Sequence, residues 1–375
     1  MLKSVELLIN LGYSNKDAED ITSSFLLVTL KDETLCKKIN ENFNYLISLG
    51  YTRTDVIKMT KVFPSLYGYS KETIEEKISF LISLGYTRAD VIKMTKVFPS
   101  LYGLSKETIE EKISFLISLG YTKSDVIKMT KILPSLYGYS KENIKEKISF
   151  LISLGYTKPD VIKMTKLLPA LYSYSKENIK EKISFLISLG YTRPDIIKMT
   201  KKLPMLYCYS NENIKEKISF LISLGYTRAD VIKMTKLLPS LYSYSKETIE
   251  DKISFLISLG YTMIDIIKMT KQFPALYSLS KENIKDKIKY LRDIGLENIV
   301  INDTRQLMQS VLLTYARYEF LTKEKGIIID EFNYSKLFYS ETNFKKQYGV
   351  SKNMLLKKYS YEDYRENKKC LIKKN

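Results

Sequence analysis

A segment of 35 residues repeats along this chain almost letter for letter, and this repeat constrains the fold more than any other feature. The tripeptide Leu-Gly-Tyr marks its period, with glycines at Gly50, Gly85, Gly120, Gly155, Gly190, Gly225 and Gly260. Such a period indicates a supersecondary unit that is too small to bury its own apolar face and is stacked on copies of itself. We therefore expect an elongated solenoid whose long surface binds a partner.

Each copy of the repeat is predicted to form a helix, a turn and a second helix. Thr52 and Asp55 have the spacing of a capping box, which starts the first helix. Pro64 cannot continue that helix, so a short turn follows it. Ser70 is then expected to cap the second helix, and Gly85 to end it in a left-handed conformation. The fold class is therefore all-α.

Helical wheels separate a core face from an exposed face in both helices. On the first helix, Lys58 and Lys61 lie opposite the apolar arc, whereas the apolar arc of the second helix includes Ile82. Carboxylates and serines are expected on the exposed stripe of the second helix, so that charge is segregated between the two helix rows. Lys77 falls inside an apolar arc and needs a partner, for which Asp55 is the candidate.

The array is expected to have atypical units at both ends, because one face of each terminal unit meets water. Residues 1–45 form a degenerate N-terminal capping repeat, and residues 46–296 hold seven near-identical helical repeats. Residues 297–375 form a degenerate terminal repeat and a C-terminal helical cap, with a charged tail after Tyr364. The three segments carry net charges of −2, +15 and +5, so the repeats hold most of the positive charge.

Several functional classes are excluded by composition. The chain contains no histidine and only three widely spaced cysteines, which removes most zinc sites and the usual nucleophile pairs. We expect no enzyme activity, no metal and no cofactor, and a reducing compartment. No apolar run is long enough to span a membrane. The helix-like start with acidic residues indicates that an import signal is absent or has been removed.

The repeat resembles that of the mitochondrial transcription termination factor (mTERF) family. The resemblance rests on Leu-Gly-Tyr, on Asp-Val-Ile-Lys-Met, and on a proline six residues after that lysine, found at Pro64, Pro99, Pro134, Pro169, Pro204, Pro239 and Pro274. It implies a left-handed superhelix of three-helix repeats that binds double-stranded DNA, or in some members RNA or ribosomal RNA. The protein would then be mitochondrial or plastid if it is a processed organelle protein, and cytoplasmic if bacterial. Pentatricopeptide RNA binders share the period but lack this proline and this turn.

Three columns of basic residues are the predicted nucleic-acid-binding site. The first is Lys58, Lys93, Lys128, Lys163, Lys198, Lys233 and Lys268; the second is Lys61, Lys96, Lys131, Lys166, Lys201, Lys236 and Lys271. The third, at the start of each first helix, is Arg53, Arg88, Lys123, Lys158, Arg193 and Arg228, and it ends where Met263 replaces the cation. Each column supplies one cation per repeat, and these cations would contact phosphates from a concave face.

Alternatives remain open for both the partner and the charge. We expect a monomer that binds double-stranded DNA and regulates transcription, with RNA as one alternative and a protein-binding scaffold as the other. A lysine-rich coding bias that merely solvates the helices would also explain the charge. The tyrosine columns that begin at Tyr51 and Tyr67 lie at turns, where packing explains them more simply than stacking on bases.

Overall fold

The computed structural model describes residues 2–24, 27–360 and 364, and in these residues the chain is an all-α helical-repeat solenoid without a β-strand. It divides into two compact units, Met1–Glu181 and Lys182–Asn375. The three-part division made from the sequence stays a prediction, and the charged tail after Tyr364 lies outside the described residues. No single described helix is long and apolar enough to cross a membrane; one pair of helices reaches that length and hydropathy together, but it is bent by 119°.

Each of the seven repeats has a first helix, a short 3-10 helix and a second helix. The first helices are Arg53–Val62, Arg88–Val97, Lys123–Ile132, Lys158–Leu167, Arg193–Lys202, Arg228–Leu237 and Met263–Gln272. The 3-10 helices are Pro64–Gly68, Pro99–Gly103, Pro134–Gly138, Pro169–Tyr172, Pro204–Tyr207, Pro239–Ser243 and Pro274–Ser278. The second helices are Lys71–Leu84, Lys106–Leu119, Lys141–Ser153, Lys176–Ser188, Asn211–Ser223, Lys246–Ser258 and Lys281–Asp293.

The terminal segments are helical variations on the same plan. Before the repeats lie the helices Lys3–Asn10, Asn15–Thr22 and Asp32–Ser48. After them lie Ile299–Asn302, the 3-10 helix Thr304–Met308, Val311–Glu319 with a π-helical end at Phe320–Glu324, the 3-10 helix Tyr334–Phe338, Glu341–Tyr348 and Lys352–Lys358. We call residues 299–358 the C-terminal cap.

Local sequence signals set the helix boundaries. The predicted capping box is present, since the Thr52 hydroxyl accepts a hydrogen bond from the Asp55 amide and the Asp55 carboxylate accepts one from the Thr52 amide. Pro64 keeps Phe63 out of the α region, with φ −135° and ψ 74°. Gly85 ends the second helix with φ 113°, and the amides of Gly85 and Tyr86 donate to Ile82 and Leu81 as in a Schellman motif. These predictions are confirmed.

The core of each repeat is narrower than the helical wheels indicated. Val56 and Met59 of the first helix and Ile78 and Leu81 of the second are buried. Ile82 was expected in the buried arc but is 39% exposed. That part of the prediction is wrong because the second helix buries the stripe that contains Ile78 and Leu81, while the adjacent stripe faces outward.

Neighbouring repeats are joined by chains of buried hydroxyl groups. The Tyr51 hydroxyl lies 2.6 Å from Thr95 Oγ1 and 2.9 Å from the Tyr102 hydroxyl, and Thr95 itself donates to the Val91 carbonyl. Because each hydroxyl carries one hydrogen, the direction follows: Tyr102 donates to Tyr51, which donates to Thr95. In the first unit the same chain links Tyr13, Thr60 and Tyr67; Tyr86, Thr130 and Tyr137; and Tyr121, Thr165 and Tyr172.

In the second unit these hydroxyl chains stop at the last full repeat. They link Tyr191, Thr235 and Tyr242, and then Tyr226, Thr270 and Tyr277. The Tyr261 hydroxyl is buried and has no hydrogen-bond partner among the described residues. Asp303 has the same backbone conformation as Phe273, so the residues around the two can be aligned. In this alignment Val300 takes the place of Thr270, and Leu307 takes the place of Tyr277. Both replacements lack a hydroxyl.

The lysines in the apolar arc of the second helix are buried or half-buried and pair with backbone carbonyls, so their predicted pairing with the Asp55 column is wrong. Lys77 Nζ donates to the carbonyl of Leu104 in the following repeat. Leu104 comes directly before Ser105, the N-cap of the second helix of that repeat. Lys182 Nζ likewise lies 2.5 Å from the Tyr209 carbonyl. Burial lowers the pKa of Lys77. In the N-terminal cap, Asn42 occupies the equivalent position and donates to the carbonyls of Tyr67 and Tyr69.

The aspartates of the capping boxes instead pair with lysines of the next first helix. Asp55 lies 2.7 Å from Lys96, and Asp90 lies 2.7 Å from Lys131. The same pair is formed by Asp17 with Lys61, Asp125 with Lys166, Asp195 with Lys236, and Asp230 with Lys271. The carboxylate thus caps its own helix and holds the following one.

Removing one hydroxyl group from these hydrogen-bonded chains should destabilise the contact between two repeats. Tyr226→Phe leaves the Tyr277 hydroxyl without its acceptor in a buried site, which should cost about 1–3 kcal/mol. Tyr261→Phe is the matched control, because it removes a buried hydroxyl that has no partner; it should be neutral or stabilising. Hydrogen exchange of the amides around each site reports the local free energy of opening. Equal effects of the two substitutions would contradict the role of these chains.

The aspartate–lysine pairs should make stability depend on acid pH. A hydrogen bond from lysine lowers the pKa of Asp55, Asp90 and Asp125 to about 2, below the value of about 3.9 expected in the unfolded chain. The contribution to stability is therefore complete above about pH 4 and is lost as the pH falls toward about 2. The thermal denaturation midpoint, measured by circular dichroism from pH 7 to pH 2, should fall mainly in that window.

A substitution pair tests whether these carboxylates carry the effect. Asp125→Asn should lower the midpoint at pH 7, and its difference from the wild type should vanish near pH 2. Asp265 is the equivalent residue of the helix Met263–Gln272, and it has no lysine in ion-pair distance among the described residues. Asp265→Asn should therefore change the midpoint less than Asp125→Asn. A difference at pH 2 as large as that at pH 7 would rule out this origin.

Candidate nucleic-acid interface

The lysines of the first predicted column are exposed and largely free. The column consists of Lys58, Lys93, Lys128, Lys163, Lys198, Lys233 and Lys268, all on the exposed side of the first helices. Lys268 Nζ donates to Asn302 Oδ1 at 2.8 Å. Among the described residues, the other six have neither a carboxylate within ion-pair distance nor a hydrogen-bond acceptor. Each first helix therefore presents an ammonium group without an acidic partner at this position.

The second column stays a predicted nucleic-acid site, and most of its charge is already paired within the protein. Lys61, Lys96, Lys131, Lys166, Lys236 and Lys271 each form an ion pair with the capping aspartate of the preceding first helix. Lys201 also has an interaction partner. These side chains remain one-third or more exposed, so a phosphate can approach them, but it would compete with a carboxylate.

The third column is mixed. Arg53 donates to the carbonyls of Leu11 and Asn10, at 3.0 and 2.8 Å, and so satisfies the end of an earlier helix. Arg88 pairs with Glu75, and Arg228 lies 3.4 Å from the Leu189 carbonyl. In contrast, Lys123, Lys158 and Arg193 are exposed and have no partner among the described residues. As a nucleic-acid site, this column stays a prediction for all six residues.

Exposed aliphatic side chains lie beside the free lysines. Val62, Val97, Ile132, Leu167 and Leu237 are between 50% and 73% exposed, four residues after the lysine of the first column. We call the surface formed by the exposed residues of the first helices the first-helix face. Its exposed positions carry lysine, arginine, small polar and aliphatic residues but no aromatic ring in the described repeats.

The tyrosine columns are not available for stacking on bases. Tyr51 and Tyr67 are at most 2% exposed, and their copies are buried as well. Their hydroxyls take part in the chains that join the repeats, and burial raises the pKa of Tyr51. The interpretation that these residues serve packing is confirmed.

The second helices carry lysines that the analysis of a single repeat missed. Lys145, Lys180 and Lys215 are exposed where the first repeat has Glu75. Lys145 Nζ lies 5.7 Å from the centre of the Phe115 ring, and Lys180 and Lys215 lie at similar distances from Phe150 and Phe185. The expectation of a purely acidic and polar second-helix surface is therefore wrong for the middle repeats, as an alignment of all seven copies would have shown.

The comparison with known families agrees with this architecture. The mTERF family model matches residues 1–168, 104–224 and 172–301, which together cover most of the chain. A search of the curated proteins found no match. The overlapping matches follow the tandem repeats, with their proline-started 3-10 helices and glycine-ended second helices, and the chain belongs to the mTERF family.

Proposed function

We propose that the protein binds nucleic acid through the phosphates that contact its first-helix face. The supporting observation is the ammonium group without a partner that six of the seven first helices present at the position of Lys58. A cation without a carboxylate partner gains most from a phosphate, because binding releases counterions from the nucleic acid without breaking an existing ion pair. Membership of the mTERF family supports the same partner.

A double-stranded partner, with DNA favoured, fits this face better than a single strand. Proteins that bind single strands usually supply aromatic rings on which successive bases stack. The first-helix face has none in the described repeats, and the Tyr51 and Tyr67 columns are buried. Phosphate contacts alone suit a duplex, whose bases are already stacked on each other. RNA or ribosomal RNA remains the alternative, to be distinguished by the binding assay below.

Contacts of this kind position a backbone and read little sequence. The positions that vary between the repeats, such as Thr54 and Val62, hold small or aliphatic residues that cannot form bidentate hydrogen bonds with bases. We therefore propose weak sequence preference, with regulation of transcription through occupation of the duplex. The organellar location typical of the family favours mitochondria or plastids, and a bacterial source would place the protein in the cytoplasm.

A second candidate is a scaffold that binds a protein. The exposed aliphatic residues of the Val62 column favour it, because a row of such residues beside lysines could accept an acidic amphipathic partner. Failure to bind any nucleic acid at low salt would favour this candidate.

The first experiment is fluorescence anisotropy of the full chain with a random-sequence DNA duplex, the matched RNA duplex and both single strands, between about 50 and 200 mM salt. If six or more phosphates are contacted, the affinity for the duplex should fall about 10³-fold or more over that range. Duplexes should bind more tightly than single strands of the same length. Tighter binding of the single strands would contradict the proposed mode of contact.

Neutralising three free lysines should reduce this salt dependence. Lys93→Gln, Lys128→Gln and Lys163→Gln together should lower the slope of log K against log salt by about three, with no loss of thermal stability. The control changes the same charge on the second helices through Lys71→Gln, Lys106→Gln and Lys145→Gln. A smaller effect of the control would support the first-helix face, and an equal or larger effect would place the contacts elsewhere.

A further inference from the structure

The C-terminal cap contains a cavity of about 740 Å³ that the first-helix face does not involve. The 3-10 helix Thr304–Met308 and the start of Val311–Glu319 form one side of it, and residues 338–341 and Lys352 form the other. Arg305, Arg317 and Lys352 line it together with Gln306, Gln309 and Ser310. The size is that of a site for a small ligand.

Arg317 is the buried cation of this cavity. Its side chain is 2% exposed, and its guanidinium carbon lies 4.4 Å from the centre of the Phe344 ring. Nη1 donates to Gln309 Oε1 at 3.1 Å and to the carbonyls of Leu337 and Tyr339 at 2.9 and 2.7 Å. Nε is buried without an acceptor in the described part of the chain. A guanidinium has five N–H groups, so this one retains unused donors.

A second buried cation, Lys287, lies behind the wall of the cavity. It is 1% exposed, lies 3.4 Å from the Ser310 carbonyl and 5.4 Å from the centre of the Phe338 ring, and donates to the Thr314 hydroxyl. None of these partners is an acid. Burial, and then the charge of Arg317, lower the pKa of Lys287 to about 7. Two buried cations therefore share one region without a buried carboxylate hydrogen-bonded to either.

Two acids also line the cavity, and the charge of Glu341 partly offsets the lowering of the Arg317 pKa by burial. Asp303 accepts a hydrogen bond from Gln306 Nε2 at 2.5 Å, and Glu341 is exposed at the start of a helix. Arg305 and Lys352, which are exposed and have no partner among the described residues, add two further cations at the rim. Three cations and two carboxylates thus line the cavity, and Lys287 lies behind its wall.

We propose that this cavity binds a phosphate group, with Arg317 at its base and Arg305 and Lys352 at its rim. A planar guanidinium with free N–H groups matches two phosphate oxygens, and the rim cations add charge from the solvent side. An anion here would also offset the cost of holding Lys287 and Arg317 away from water. The phosphate can belong to the end of a nucleic-acid strand or to a small phosphate compound.

Titration calorimetry of the full chain with inorganic phosphate tests the site directly. Arg305→Ser with Lys352→Ser removes both rim cations from exposed positions, so the protein should stay folded and bind phosphate about tenfold or more weakly. Lys345→Ser with Lys346→Ser is the matched control, since it removes the same charge from exposed positions of the same cap outside the cavity. The control should bind phosphate like the wild type.

Arg317→Lys tests the base of the cavity while keeping its charge. The variant should weaken phosphate binding, because an ammonium group cannot present paired donors. Circular dichroism establishes that it is folded, and the rim variant keeps the proposal testable if it is not. Absence of phosphate binding by the wild type, or equal weakening in the rim and control variants, would overturn the proposal.

The source of the phosphate is identified with oligonucleotides that carry either a 5′-phosphate or a 5′-hydroxyl. Tighter binding of the phosphorylated form, lost in the rim variant, would assign the cavity to a strand end. Equal binding of both, together with binding of inorganic phosphate, would assign it to a small phosphate compound. This result is separate from the proposed role of the first-helix face, which the lysine-to-glutamine variants address.

Discussion

The hydrogen bonds and ion pairs between neighbouring repeats are the interactions on which the rest of this structure depends. A single repeat cannot satisfy the Tyr51 hydroxyl, complete the environment of the Asp55 carboxylate or provide an acceptor for Lys77; each finds its partner in the next copy. Because a buried polar group without a partner is costly, the interface between repeats tolerates only one register. The apolar residues of each helix supply the driving force for stacking, and these polar groups determine how the copies align.

The terminal units show what happens when one of these partners is missing. Where there is no preceding or following full repeat, the polar residues change. Asn42 replaces the buried lysine in the N-terminal cap and still reaches two carbonyls, whereas Val300 and Leu307 replace the two hydroxyl-bearing residues after the last full repeat. Tyr261 keeps its hydroxyl without a partner. Loss of the partner hydroxyls after the last full repeat thus leaves the Tyr261 hydroxyl unsatisfied.

Features set by local sequence were predictable, and features set by the neighbouring copy were not. Thr52, Pro64 and Gly85 act within a few residues, so the helix boundaries followed from their positions. The partners of Tyr51 lie 44 and 51 residues away, and the partner of Lys77 is a carbonyl, which has no sequence signature. The helical wheel puts Lys77 in an apolar arc, but the choice of Asp55 as its partner considers one repeat in isolation. The same limitation hid the difference between free and paired lysines, since Lys58 and Lys61 look equivalent on one helix.

This difference changes how the charge of +18 should be interpreted. Each typical repeat has four lysines at fixed positions. The lysine at the position of Lys58 is exposed and free, and the one at the position of Lys61 is paired with an aspartate. The one at the position of Lys71 lies at the start of the second helix, and the one at the position of Lys77 lies against a carbonyl. On the first helix, the lysine at the position of Lys58 can gain a full new ion pair from a phosphate, whereas the one at the position of Lys61 must exchange one partner for another. The lysine at the position of Lys77 is out of reach. The number of basic residues therefore overstates the number of phosphates that the repeats can hold. The spacing of the Lys58 column, one lysine per repeat, therefore limits how a nucleic acid can lie on the first-helix face.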